Sequence, residues 1–229
     1  SEASLSLNAG TELPVAGEET RVQVMLGDFT ELMGYGFTLE YDPNDLEFVR
    51  VAPVDNNALG EGALAQPRVI TKADGKLSIL GYGDAVSEGE LAIDLVFQTK
   101  GEIEESLLEL TAGQLRDGNY AINQVASLDL MRIETRPETY ALRNNYPNPF
   151  NPETTIKYQL PDNADVRLEI RNVVGQLVRT LVADHQSAGR YTVRWDASND
   201  NGQNLSSGVY FYVLQAGEFR QIKRMLLLK

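Results

Sequence analysis

Wherever this chain is apolar enough to be buried, polar and apolar residues alternate with a period of two, and Gly, Asn, Asp or Pro closes each stretch. Residues 21–26 place Val22, Val24 and Leu26 on one face, and residues 35–41 place Tyr35, Phe37, Leu39 and Tyr41 on one face. A period of two is the strand period, because successive side chains of an extended backbone point to opposite sides. The same pattern predicts strands at 46–51, 68–71, 77–82, 91–99, 107–111 and 128–134, then at 154–160, 166–171, 176–182, 191–195, 209–215 and 220–228. Turn chemistry separates them, as at Ala73-Asp74-Gly75 and Arg116-Asp117-Gly118-Asn119. Residues 102–110 also fit a helical turn of marginal length. Many short strands at this spacing predict an all-β chain folded as two β-sandwiches.

Composition narrows the chemistry. The 229 residues contain no Cys and a single His, His185. Disulfides, thiolate nucleophiles and thiolate metal centres are therefore excluded, and a His-dependent triad or multi-His zinc site cannot be assembled. Residues 1–135 hold 8 Lys/Arg against 24 Asp/Glu, whereas residues 136–229 hold 12 against 9. Such a break in charge marks a domain boundary. It falls beside Arg136-Pro137-Glu138-Thr139, and a second Pro-rich stretch follows at residues 144–152. The organisation predicted is a recognition sandwich at 1–135, a Pro-rich linker and lead-in at 136–152, and a smaller sandwich at 153–229. The net charge of -13 disfavours nucleic acid and anionic membranes, whose phosphates need clustered cations. Apolar runs such as 225–228 are far too short for a transmembrane segment. No charged-then-apolar leader opens the chain, and Ser1 is expected to follow a cleaved leader or an excised boundary.

The block Gly36-Phe37-Thr38-Leu39-Glu40-Tyr41-Asp42-Pro43-Asn44-Asp45-Leu46-Glu47-Phe48-Val49-Arg50-Val51 resembles the signature of cohesin domains. Gly81-Tyr82-Gly83, Gly89-Glu90-Leu91-Ala92 and Leu95-Val96-Phe97 are similar to the later strands of that family, so the resemblance runs over residues 3–134. It implies a nine-stranded jelly roll, related in fold to cellulose-binding modules, that docks dockerin modules in assemblies degrading plant polysaccharide. Cohesins bind through an exposed sheet face. By alternation that face would hold Gly34, Gly36, Thr38 and Glu40 on one strand and Ser78, Leu80, Tyr82 and Asp84 on another. The partner-binding residues expected are Thr38, Glu40, Leu80, Tyr82 and Asp84, with Leu80 and Tyr82 as apolar anchors and Asp84 as an acidic contact. Gly34 and Gly36 depart from the polar side chains that cellulosomal cohesins carry there.

The second half carries five ordered blocks. Residues 140–156 centre on Tyr146-Pro147-Asn148-Pro149-Phe150. Val173-Val174-Gly175-Gln176-Leu177-Val178, residues 188–196 with Trp195, and Ser207-Gly208-Val209-Tyr210-Phe211-Tyr212 follow, and Lys223-Arg224-Met225-Leu226-Leu227-Leu228-Lys229 ends the chain. Together they resemble type A C-terminal sorting domains of the type IX secretion system, a small Ig-like sandwich similar to that of flagellar hook-capping proteins. The resemblance implies export across the outer membrane to the cell surface, with Tyr146, Pro147, Asn148, Pro149, Phe150, Lys223, Arg224 and Lys229 as the sorting motif. A terminal strand with basic flanks is open to capture by strand addition or by an acidic groove. Tyr146 and Phe150 are expected to pin the lead-in to the sandwich, with Trp195 in its core.

Other clusters are weaker. Residues 196–202 have oxygen side chains at calcium-loop spacing, but Asn201 stands where an EF-hand needs Gly and Ser207 where it needs Glu, so a hairpin turn is expected. Asp42, Asn44 and Asp45 read as a turn in the same way. Calcium is thus the one cofactor left open, and no metal site is assigned. Glu102, Glu104 and Glu105 lack the aromatic-lined cleft that a glycosidase requires. His185 is expected on a loop. The expectation is a secreted, non-catalytic cell-surface or scaffold protein whose partners are a dockerin-like module and the type IX secretion machinery. A carbohydrate-binding module or surface adhesin is the alternative, with polysaccharide as partner.

Overall fold

The computed structural model describes residues 4–10, 12–52, 67–72, 74–119, 121–125 and 129–229, and those residues contain strands, turns and no helix. The predicted strand at 128–134 begins partly outside the described residues, as does Ala73 of its turn. The chain divides into two compact units, Ser1–Thr135 and Arg136–Lys229.

In the first unit, β1 (Ser4–Ala9), β2 (Glu19–Tyr41), β3 (Leu46–Val51), β4 (Arg68–Lys72), β5 (Lys76–Thr99), β6 (Ser106–Asp117), β7 (Ile122–Gln124) and β8 (Leu130–Ile133) form one connected antiparallel array in the order β3-β5-β2-β6-β7. β1 joins β2, β4 joins β5 and β8 joins β6. These are eight strands among the described residues; the segments 21–26 and 35–41 are continuous as β2, and 77–82 and 91–99 as β5. Buried apolar side chains along β2 are Val22, Val24, Leu26, Phe29, Leu32, Tyr35, Phe37 and Leu39. Two of the three-residue steps coincide with register shifts that leave one extra residue on β2, between Leu26 and Phe29 against β5 and between Leu32 and Gly34 against β6. Each bulge inserts a residue that restores the inward phase and bends the strand. Asp28 takes a left-handed φ of 59° within the first shift, and Glu31 one of 55° just before the second. Both arms of β2 therefore feed one core, where Val24 and Leu26 join Phe37, Leu39, Leu95 and Phe97.

The helical turn considered at 102–110 does not form. Ser106, Leu108 and Leu110 are buried while Leu107 and Glu109 are exposed, so the strand period holds. Its start is anchored where the Ile103 amide donates to Thr135 Oγ1 at 2.8 Å and the Thr135 amide donates to the Ile103 carbonyl at 3.0 Å.

The second unit packs a three-stranded sheet, β13 (Gly189–Trp195), β10 (Thr154–Leu160) and β9 (Ala141–Leu142), against a four-stranded sheet of β12 (Leu177–Gln186), β11 (Ala164–Arg171), β14 (Gly208–Ala216) and β15 (Phe219–Leu227). Inward residues of both sheets share one core with Trp195 at its centre, as expected. Trp195 lies 5.6 Å from Phe150 and 5.9 Å from Tyr210 between ring centroids, and its indole N–H donates to the Ser198 carbonyl at 2.9 Å. His185 is on a strand and not on a loop. β12 continues to Gln186, where His185 stands opposite Asp165 and meets its carboxylate at 2.9 Å.

Candidate functional site

The ladder register decides which side chains meet on the outer face of the first unit. Gly34 is opposite Tyr82, Gly36 opposite Leu80, Thr38 opposite Ser78 and Glu40 opposite Lys76. Of the residues predicted from alternation, Thr38, Glu40, Leu80 and Tyr82 thus lie in adjacent rows of one face, in different states, whereas Asp84 falls in the register shift between Tyr82 and Val86 and pairs with no row. The Thr38 and Ser78 hydroxyls are 3.2 Å apart and satisfy each other. Glu40 Oε1 accepts from Lys76 Nζ at 2.7 Å, which raises the Lys76 ammonium above its ordinary range. Leu80 and Asp84 are exposed, and Tyr82 is 71% exposed.

The glycines shape this face. A Cβ on Gly36 would come within 2.8 Å of Leu80 Cδ2 and 3.1 Å of Gln114 Nε2, so its absence lets both neighbours fold across the strand. Gly34 has Tyr82 on one side and Arg116 on the other, with no side chain between them. The result is a shallow hollow of about 270 Å³ over Gly34, walled by Leu80, Tyr82, Arg68, Gln114, Arg116 and Ile122. Four of those residues escaped the sequence reading. Arg68 comes from β4, Gln114 and Arg116 from β6 and Ile122 from β7, and cross-strand pairing alone brings them together. Of the four, only Arg68 falls in a strand predicted from alternation; Arg116 was read as part of a turn, no strand was predicted at Gln114 or Ile122, and no sequence signal supplied the register.

In the second unit the sorting residues gather around the last strand. Phe150 is 2% exposed, whereas Tyr146 is 80% exposed. Phe150 pins the lead-in by its ring as expected; Tyr146 does so only by its backbone, which exchanges two 2.9 Å hydrogen bonds with Thr155. The peptide bonds before Pro147 and Pro149 are cis. Between the two prolines, the Asn148 side chain acts as an extra peptide group. Its Oδ1 accepts from the Leu226 amide at 3.0 Å and its Nδ2 lies 3.5 Å from the Arg224 carbonyl. Phe150 then donates to the Leu226 carbonyl at 3.0 Å and accepts from the Leu228 amide at 2.9 Å. The expectation of a strand edge open to strand addition is corrected here, because the lead-in already occupies the edge of β15 from Arg224 to Leu228. Lys223 Nζ donates to Asn144 Oδ1 at 2.6 Å, the Lys229 amide donates to Ser207 Oγ at 3.0 Å, and Arg224 is exposed beside Asn148 and Pro149.

The oxygen-rich loops spend their oxygens on their own backbone. Asp196 Oδ1 accepts from the Ser198 hydroxyl at 2.6 Å and its amide at 3.1 Å, which holds the carboxyl below the usual carboxylate range. Asn199 Oδ1 accepts from the Asn201 and Gln203 amides at 3.0 and 2.9 Å. Asp42 Oδ1 accepts from the Asn44 amide at 2.8 Å and its Nδ2 at 2.9 Å. Among the described residues no three His, Cys, Asp or Glu side chains converge as a metal site. Glu102, Glu104 and Glu105 are exposed, with Glu105 facing Arg132 at 3.3 Å.

Residues 148–218 match the family model of the FlgD Ig-like domain. Among solved structures, the chain is similar to a cohesin module of a family 33 glycoside hydrolase from Clostridium perfringens, with 14% identity and a TM-score of 0.47 over 58% of this chain and 95% of that one. It is similar to the sixth cohesin of scaffoldin B from Acetivibrio cellulolyticus, solved with a Cel5 dockerin, at 18% identity and a TM-score of 0.46 over 58% of this chain and 100% of that one. A type I cohesin–dockerin complex from Clostridium thermocellum gives 13% identity and a TM-score of 0.48 over 59% and 99%. No curated protein matches the chain.

Proposed function

We propose that this chain is a non-catalytic docking protein whose first unit binds a dockerin-like module through the outer face of β4, β5, β2 and β6, and whose second unit directs type IX secretion to the cell surface. The observation that carries the docking reading is the face itself. Leu80 and Tyr82 stand exposed beside two side-chain-free positions, Gly34 and Gly36, a concave apolar seat on rigid paired strands. Exposed apolar groups around a hollow are what an interface core needs. The cohesin-like block at residues 36–51 supports the same reading. Calorimetric titration of the full chain with calcium-loaded dockerin modules tests it: saturable binding lost in Tyr82→Ala is expected, and no binding across such a panel overturns it.

The sorting reading is supported by the five ordered blocks and by the way the lead-in and the last strand form one structure. A reporter fused to residues 136–229 is expected at the surface of a bacterium with the type IX machinery. Retention in the periplasm overturns it. Polysaccharide binding has less support, because Tyr82 is the one exposed ring of the hollow among the described residues, and flat glycan surfaces call for several.

A further inference from the structure

Both edges of the four-stranded sheet in the second unit are held in part by the chain itself. The lead-in occupies β15 from Arg224 to Leu228, and on β12 the Val178 carbonyl accepts from the Asp200 amide at 3.2 Å while the Thr180 amide donates to Asp200 Oδ1 at 3.1 Å. The broad exposed feature of this sheet is its outer face, and the register lays that face out in rows. Arg167, Gln215 and Arg220 stand side by side on β11, β14 and β15; Glu169, Val213 and Ile222 form the next row, and Arg171, Phe211 and Arg224 the one after it. At about 4.8 Å between strands and about 3.4 Å per residue, the arginines stand at the corners of a frame of about 10 by 13 Å.

The frame is cationic around an apolar centre. Glu169, the carboxylate of these rows, is buried and is neutralised by Arg171 at 2.6 Å and Arg167 at 3.4 Å. Asp165 lies one row beyond, where it meets His185 at 2.9 Å. Arg167, Arg220 and Arg224 are exposed. Between them Val213 is recessed and Ile222 stands out, 46% exposed. An open hollow of about 870 Å³ extends over Arg167, Glu169, Arg171, Val213, Gln215 and Arg220, and one of about 360 Å³ lies over Val209, Arg224 and Leu226 beside Asn148 and Pro149 of the lead-in. The outer face of the three-stranded sheet differs, for Thr155, Lys157, Thr192 and Arg194 make it polar along its two long strands.

Resting on the sorting reading above, we infer that the second unit is read through this face, by a protein surface of the export machinery that sets an apolar side chain against Val213 and Ile222 and carboxylates against the arginines. An apolar centre inside a charged rim is interface anatomy, and arginine is enriched in it. Its planar fork takes a carboxylate through two parallel hydrogen bonds, and its charge steers the encounter. A recess between arginines about 10 Å apart calls for a side chain held in register with carboxylates, which a folded protein surface supplies and a fluid lipid surface does not. The face also adjoins the lead-in, because β15 carries Arg220, Ile222 and Arg224 outward and is bonded to Phe150 at Leu226 and Leu228. The lead-in thus holds β15 in place, and β15 presents the residues that are read.

The test is export of the full chain, sent to the periplasm by a cleavable leader, in a bacterium with the type IX machinery. The readout is the fraction reached by protease on intact cells, with the culture medium assayed alongside. Wild type is compared with Ile222→Asp, its milder form Ile222→Ser, Arg167→Glu/Arg220→Glu and Arg167→Lys/Arg220→Lys. Lys157→Glu/Arg194→Glu makes the same change of charge on the other sheet. None of these positions belongs to the expected sorting motif, and an unchanged Trp195 melting transition establishes that each purified variant is folded. The surface fraction is expected to fall about tenfold or more in Ile222→Asp and Arg167→Glu/Arg220→Glu, to fall less in Ile222→Ser, and to be largely restored in the Lys form. Lys157→Glu/Arg194→Glu is expected to match the wild type. If Ile222→Asp and Arg167→Glu/Arg220→Glu are exported as well as the wild type, this inference is overturned and the sorting reading stands. An equal loss in Lys157→Glu/Arg194→Glu also overturns it, by making net charge the signal. Variants that are exported but shed into the medium assign the face to a lipid or glycan surface and overturn it as well. If the wild type itself stays in the periplasm, the sorting reading is overturned.

Discussion

Phe150→Ala removes the ring that ties the Pro-rich lead-in to the second sandwich. The ring is 2% exposed and packs 5.6 Å from Trp195, while its backbone closes the edge of β15 at Leu226 and Leu228. Truncating a buried Phe to Ala costs about 3–5 kcal/mol, a transfer loss plus the cavity left behind. For a unit of this size each kcal/mol shifts the melting midpoint by about 4–8 °C, so a fall of roughly 12–40 °C is expected. Because Trp195 is the only tryptophan of the chain, its fluorescence reports the second unit alone in the intact protein. Phe150→Leu, which refills most of the volume, is expected to recover much of the loss. A shift below about 4 °C in Phe150→Ala would show that the lead-in is a tether lying on the sandwich and refute its role in the core.

Gly81→Ala places a methyl group against the Tyr35 ring on the inner side of β5, and overpacking of this kind costs about 1–3 kcal/mol. Near-UV circular dichroism should show the first unit melting earlier while the Trp195 transition stays in place; coincident midpoints with the wild type would contradict the packing. Alkaline pH is expected to weaken the second unit through Tyr158, whose phenol burial pushes up to about 12. A raised value means the native state holds its proton longer than the unfolded chain does, so this stability is complete below about pH 10 and is lost as pH rises towards 12. Urea midpoints from Trp195 fluorescence, flat from pH 7 to 9 and falling above about pH 10 more steeply in the wild type than in Tyr158→Phe, check the sign.

Strand periods made the all-β class and most strands legible, since Val22, Val24 and Leu26, or Ile156, Tyr158 and Leu160, declare their faces without further context. The continuity of β2 was hidden because Phe29 and Leu32 fall out of a period of two, and only pairing with β5 and β6 reveals the bulges that bring them inward. His185 looked like a loop residue among Asp184, Gln186 and Gly189, but the bulge opposite Leu168 and Glu169 lets β12 run on past it. The outward positions Leu80, Tyr82 and Asp84 followed from alternation on one strand. Arg68, Arg116 and Ile122 did not, because a hollow built across five strands depends on register, a long-range property. The closure of the β15 edge was illegible for a related reason: Asn148 acts there as a substitute peptide, a role that composition does not encode.

The docking account is tested most directly by hydroxyl-radical footprinting of the full chain, free and with a bound dockerin module. Tyr82, 71% exposed, and its neighbours Leu80 and Ile122 are predicted to lose reactivity in the complex, while Tyr146, 80% exposed in the other unit, keeps its own as an internal reference. Undiminished reactivity at Tyr82 with protection appearing on other strands would contradict the account.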